Sequence, residues 1–270
     1  RIVRDLLGRD DSRISPTPFF VIESNETTEF GTDANANGDF NRDGFSDLVY
    51  GEPGAANDTG AVHVHYGSVD GYSAVPDMSF VGAHPGARFG ASLSPVGDVN
   101  GDGYDDLLIG APGENNDSGD ATGAIHLNTG YPTGLSVLPS WSIQGENLNG
   151  LFGAKVEAVG DLNGDGFADM AVGEHGWAGT DGGLGRVHIY SGNSTLESDS
   201  VTIDGHEDDL ILGWAILGVG DSNGDGFADL VIGSSRATTD LSGRGRAQVH
   251  SGSPSGISTS ANRVWSMSET

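Results

Sequence analysis

Four times the chain writes a nine-residue stretch with oxygen-bearing side chains at positions 1, 3, 5 and 9: Asp39 to Asp47, Asp98 to Asp106, Asp161 to Asp169 and Asp221 to Asp229. The third copy reads Asp161-Leu162-Asn163-Gly164-Asp165-Gly166-Phe167-Ala168-Asp169. Alternate side chains at 1, 3 and 5 can converge on one ion, Gly at 6 permits a sharp turn, and the aromatic at 7 can offer its backbone carbonyl. The carboxylate at 9 can close the shell, with water supplying what is missing. Five oxygen donors on one flexible loop suit the larger shell of Ca²⁺ better than that of Mg²⁺. The candidate ligands are therefore Asp39, Asn41, Asp43, Phe45 and Asp47; Asp98, Asn100, Asp102, Tyr104 and Asp106; Asp161, Asn163, Asp165, Phe167 and Asp169; and Asp221, Asn223, Asp225, Phe227 and Asp229, about one Ca²⁺ per copy.

An EF-hand needs a bidentate Glu at position 12. Those positions hold Tyr50, Ile109, Val172 and Ile232, all of strand-forming type, so the site is expected between two strands and not between two helices. One Asp/Asn/Gly loop would also suit a solvated turn. Four copies that keep the ligand spacing while positions 2 and 4 vary (Phe40 and Arg42, Val99 and Gly101, Leu162 and Gly164, Ser222 and Gly224) favour a metal site.

The loops start 59, 63 and 60 residues apart, a period that four short strands and their turns would fill. Nine residues before each loop stands Phe30-Gly31, Phe89-Gly90, Phe152-Gly153 or Leu212-Gly213, opening a first strand. After each loop comes an apolar run such as Asp106-Leu107-Leu108-Ile109-Gly110, which reads as a strand buried on both faces. A third strand alternates with period 2, as in Gly123-Ala124-Ile125-His126-Leu127-Asn128-Thr129-Gly130. A weaker fourth is expected at Met78 to Gly82, Trp141 to Gly145, Val201 to Gly205 and Val264 to Ser268.

Such a meander cannot bury both faces alone, and radial stacking solves that problem. The expected fold is all-β, a β-propeller of four-stranded antiparallel blades. The blades are expected at residues 24–83, 84–146, 147–206 and 207–270, within one propeller domain. Residues 1–23 are expected to be the outer half of a preceding blade or a stub, so that either the ring is truncated in this chain or the stub does something other than closure.

Composition narrows the function. Twelve basic against 39 acidic residues, a net charge of −27, excludes a binder of nucleic acid or anionic membrane. The 45 Gly residues recur at fixed places beside Val, Ile and Leu, which argues against disorder. The absence of Cys removes disulfides, Cys-ligated zinc and thiol catalysis. No apolar run reaches 18 residues, so no direct membrane insertion is expected in this segment.

Two further sets of residues stand out. His63, His126 and His188 share one third-strand column with Gln248. Successive blades keep these residues apart, so a structural role between blades is favoured over a shared metal. Trp177 and Trp214 break the repeat and are weak candidates for ligand contact. No serine-nucleophile elbow, zincin or phosphate-loop motif occurs, so no catalytic residue is expected.

Phe-Gly, the Asp-x-Asn-x-Asp-Gly-x-x-Asp loop and the intact Gly110-Ala111-Pro112 resemble the FG-GAP repeat of the integrin α-subunit β-propeller and its bacterial relatives. The resemblance spans residues 24–268. It implies a propeller of seven blades with calcium between the first two strands of a blade, an extracellular, secreted or cell-surface setting, and binding of a protein or glycan ligand instead of turnover. Gly-Ala-Pro decays to Gly51-Glu52-Pro53, Gly173-Glu174-His175 and Gly233-Ser234-Ser235. The lack of Cys points toward a bacterial protein and away from an animal integrin. Alternative expectations are an accessory or catalytic propeller domain of a secreted hydrolase, or a lectin.

Overall fold

Apolar runs of four to six residues, bounded by Asp on one side and Gly on the other, form strands that pair in sequence order. The computed structural model describes residues 21–22, 28–179, 184–195, 200–206, 209–237 and 244–266. Blade 1 consists of β1 (Ala34–Gly38), β2 (Asp47–Glu52), β3 (Ala61–His65) and β4 (Met78–Val81). Blade 2 contains β5 (Ser92–Gly97), β6 (Asp106–Ala111) and β7 (Ala124–Asn128), then a small hairpin of β8 (Gly130–Tyr131) and β9 (Gly134–Leu135), then β10 (Trp141–Gln144). Blade 3 is β11 (Phe152–Gly160), β12 (Asp169–Ala178), β13 (Leu184–Tyr190) and β14 (Ser200–Asp204). Blade 4 is β15 (Asp209–Gly220), β16 (Asp229–Ala237), β17 (Arg244–Ser251) and β18 (Arg263–Ser266). Each blade is a four-stranded antiparallel sheet in sequence order. The expected preceding half-blade at residues 1–23 lies outside the described residues except for 21 and 22.

First strands of successive blades lie against one another, β1 on β5, β5 on β11 and β11 on β15, while no comparable contact joins the fourth strands among the described residues. The blades thus converge on their first strands and splay outward, as propeller blades do. Both faces of the second strands in blades 2 and 3 are buried against neighbouring blades. Leu107 and Ile109 point back into a cluster with Val49, Val62, Val64 and Phe80 of blade 1. Leu108 points forward into a cluster with Val156, Met170 and Val172 of blade 3. Ala171 and Ile203 repeat the forward role against Leu212, Leu230 and Ile232 of blade 4. Burying roughly 1.5–3 kcal/mol of transfer free energy per large apolar side chain makes these joints the core of the molecule. The forward row of blade 4 is more open. Val219 is 37% exposed and Trp265 51%, although Trp265 holds the register position of the buried Ile203.

The Phe-Gly pair is a corner. The residue before it has positive φ in all four blades (Glu29 56°, Arg88 54°, Leu151 56°, Ile211 64°), and so does its glycine. Non-glycine residues rarely adopt this region, so the corner is held by what packs on it. In blades 1 and 2 the strand begins only after the corner, at Ala34 and Ser92. The glycine of Gly-Ala-Pro is explained by the same corner in the next blade. A Cβ on Gly51 would stand 2.0 Å from the carbonyl oxygen of Gly90, and one on Gly110 2.1 Å from that of Gly153.

Two elements depart from the repeat. Residues 55–58 make one turn containing left-handed Ala56 and Asn57. The β8–β9 hairpin buries Leu135 in the joint between blades 1 and 2, where its N–H donates to Tyr66 Oη at 2.9 Å.

Gly110→Ala is expected to cost about 1–3 kcal/mol of unfolding free energy by overpacking backbone on backbone. Gly233→Ala would meet nothing nearer than Ala215 Cβ, at 3.2 Å, and is expected to cost less. Urea unfolding of both variants measures the difference.

Candidate metal loops

Each loop is first folded by its own position-1 carboxylate. In loop 2, Asp98 Oδ1 accepts the N–H groups of Gly101 (2.7 Å) and Asp102 (3.0 Å), and Oδ2 accepts that of Gly103 (2.8 Å). Asp161 and Asp221 do the same in loops 3 and 4. In loop 1, Asp39 accepts from Asp43 and Gly44, and Arg42 N–H turns to the Asp39 carbonyl instead. Position 3 then grips position 5: in loop 3, Asn163 Oδ1 accepts the Asp165 N–H at 2.9 Å, and Asn163 Nδ2 donates to Asp165 Oδ2 at 2.8 Å. The glycine at 6 sits at φ between 90° and 95°, which closes the turn. These bonds draw positions 1, 3 and 5 together on the solvent side. Backbone donors, Gly226 N–H foremost, hold the Asp221 carboxyl below its usual range.

Position 9 behaves differently. Asp47, Asp106, Asp169 and Asp229 are all 0% exposed. In each, Oδ2 accepts the N–H of loop position 2 (Phe40 2.8 Å, Val99 3.1 Å, Leu162 2.8 Å, Ser222 3.0 Å). Oδ1 accepts the N–H of the glycine that closes the third strand (Gly67 2.8 Å, Gly130 2.9 Å, Gly192 2.9 Å, Gly252 3.2 Å). No basic side chain pairs with any of the four among the described residues. Burial outweighs the two backbone donors and pushes Asp47 up to about 6, Asp106 to about 7 and Asp169 to about 6.

The donor set fits a hard divalent cation: three carboxylates, one amide oxygen and one carbonyl per loop. Each carboxylate oxygen that accepts one N–H keeps a further lone pair. A cation would also supply the counter-charge that buried position 9 lacks. Among the described residues, no three His, Cys, Asp or Glu side chains stand close enough to grip an ion. The loop side chains are held by the hydrogen bonds above.

The FG-GAP repeat model matches residues 32–65, 89–127, 152–190 and 212–250, more than half of the chain. The chain belongs to the FG-GAP repeat family. It is 30% identical to integrin alpha-V of Gallus gallus over 226 residues, 32% to integrin alpha-PS2 of Drosophila melanogaster over 213, and 31% to integrin alpha-6 of Gallus gallus over 235. These alignments cover 78%, 73% and 84% of the chain but only 21%, 14% and 20% of the relatives.

Seen as FG-GAP blades, the histidine column acquires partners. His63 Nε2 lies 3.2 Å from Glu52 Oε2, His126 Nε2 3.0 Å from Glu114 Oε2, and His188 Nε2 2.9 Å from Glu174 Oε2. On the other ring nitrogen, Ser79 Oγ meets His63 Nδ1 and Ser142 Oγ meets His126 Nδ1, both at 2.9 Å. The corner phenylalanines pack on two of these rings, Phe89 at 5.5 Å from His126 and Phe152 at 5.0 Å from His188. His126 and His188 thus support the corner of their own blade, and all three histidines bond within a blade instead of bridging blades as the sequence suggested.

Glu52 and Glu174 occupy the Ala position of Gly-Ala-Pro, so what reads as motif decay supplies the partner. In blade 2 that position is Ala111, and Glu114 reaches in from three residues further on. Blade 4 has Ser234 and Gln248 at these two positions. Trp177 is half-buried under the Arg186 guanidinium, 4.1 Å from the ring centroid, and Arg186 is bound in turn by Asp204. Trp214 is 58% exposed and stacks on His175, whose Nε2 meets the Gly213 carbonyl across the joint at 2.7 Å.

Two carboxylates of one loop should respond differently to removal of their charge. Asp106→Asn leaves an N–H facing a buried N–H and is expected to cost about 1–3 kcal/mol with or without calcium, whereas Asp102→Asn, in the exposed part of the loop, should cost markedly more with calcium than without it. A raised carboxyl favours the protonated fold, so its stabilisation is complete below the ordinary value near 3.8 and lost as pH rises through about 7. Carbon-13 titration in chelator is expected to place Asp106 near that value, and calcium to move it down.

Proposed function

We propose that the chain is a calcium-stabilised, extracellular adhesion or ligand-binding module that acts by binding a protein or glycan partner and carries out no turnover. The observation that carries the reading is the same complete oxygen set in four loops, each anchored by a buried carboxylate. Kinship with integrin α-subunits supports it. So does an acidic, Gly-rich chain without cysteine, for which bound cations would replace disulfide support. A secreted or surface-bound bacterial setting suits that composition. The ligand surface would use loops, and Trp214 is an exposed aromatic available to one.

A cation that binds only the folded state adds about 2.7 kcal/mol per site at free calcium a hundredfold above Kd. Thermal unfolding in calcium and in EDTA is the direct test, with a melting temperature well above that in chelator as the expected result. Equal melting temperatures would sink the calcium assignment.

A further inference from the structure

Neighbouring loops touch, and they touch through residues that also serve the cation. In loop 3 the Phe167 ring lies on position 4 of loop 2, where a Cβ on Gly101 would stand 2.6 Å from Phe167 Cε1. Loop 4 repeats this on loop 3, Phe227 Cε1 standing 2.6 Å from a Cβ on Gly164. The next residue, at position 8, donates its N–H to the position-1 carbonyl of the preceding loop: Ala168 to Asp98 at 3.3 Å and Ala228 to Asp161 at 2.9 Å. One dipeptide therefore offers a carbonyl to its own ion while bracing positions 1 and 4 of the loop before it.

The joint between loops 1 and 2 is built from charged side chains instead. Arg42 replaces the position-4 glycine and lays its guanidinium on Gly103, where a Cβ would meet Nη1. Asp105 replaces Ala at position 8, and its Oδ2 accepts the Asp39 N–H at 2.8 Å.

We infer that cation binding is coupled from loop to loop, and that the position-7 ring and position-8 N–H carry the coupling along loops 2, 3 and 4. The inference rests on the calcium reading above. An ion in either loop fixes the shared dipeptide, so the second ion meets a loop that is already ordered, and linkage makes the effect reciprocal.

The test is a CaCl₂ titration of the whole chain read by amide NMR, with the amides of Gly44, Gly103, Gly166 and Gly226 reporting loops 1 to 4 separately. The unaltered protein is expected to fill loops 2, 3 and 4 over one common concentration range. Asp165→Ala, which removes a ligand of loop 3 alone, is expected to weaken loops 2 and 4 at least about fivefold. Phe227→Ala keeps every ligating atom and should separate the filling of loops 3 and 4, which keeps the test open if Asp165→Ala does not fold. Loops 2 and 4 filling at unchanged calcium in Asp165→Ala, or loops 3 and 4 still filling together in Phe227→Ala, would overturn the coupling alone. No response of any loop in the unaltered protein would overturn the calcium reading and the coupling with it.

Discussion

A carboxylate sealed inside each blade and clamped by two backbone N–H groups is the interaction on which the rest depends. Asp47, Asp106, Asp169 and Asp229 tie the start of the loop to the end of the third strand, closing a ring of backbone that strand pairing alone would leave open. Charge-assisted hydrogen bonds of this kind contribute about 1.5–3 kcal/mol each, against a burial penalty of several kcal/mol per ion. For three of the four, burial is the larger effect, as their raised pKa values show. A blade so built is strained toward protonation or toward a cation, and a chain carrying −27 has few basic residues with which to relieve it. Loop and clamp are therefore joined: the exposed carboxylates fold the loop, and the buried one ties that loop to the end of the third strand.

Much of this was legible in the sequence. The period near sixty residues, the apolar runs after each loop and the alternation of the third strand specify four meanders, because a strand buried on both faces and one buried on a single face leave different patterns. The loops themselves were legible because the residues that fold each one lie within nine positions of sequence.

What sequence could not show is what closes over distance. Position 9 reads as a ligand, and its grip on Gly130 or Gly192 more than twenty residues away leaves no local signature. The glutamate partners of the histidines were visible only as decay of Gly-Ala-Pro at Glu52 and Glu174, and Glu114 escapes even that signal by entering from another register. The β8–β9 hairpin was hidden because two-residue strands have no periodicity to detect. For Trp177 the neighbouring Arg186 decides the environment, and that pair meets only through the register of β12 against β13.

In blades 1 to 3 the glycine of the Gly-Ala-Pro segment lies under the Phe-Gly corner of the following blade, so the two halves of the motif meet between repeats and not within one. Gly51 needs Gly90, and Gly110 needs Gly153. A duplicated copy of the gene segment for one repeat therefore arrives with a socket on one side and a plug on the other, both already matched to its neighbours. Insertion or loss of a whole repeat keeps these corner contacts in phase, whereas a cut at any other phase breaks them. Evolution can change the number of blades in such a protein more easily than it can change one blade's corner.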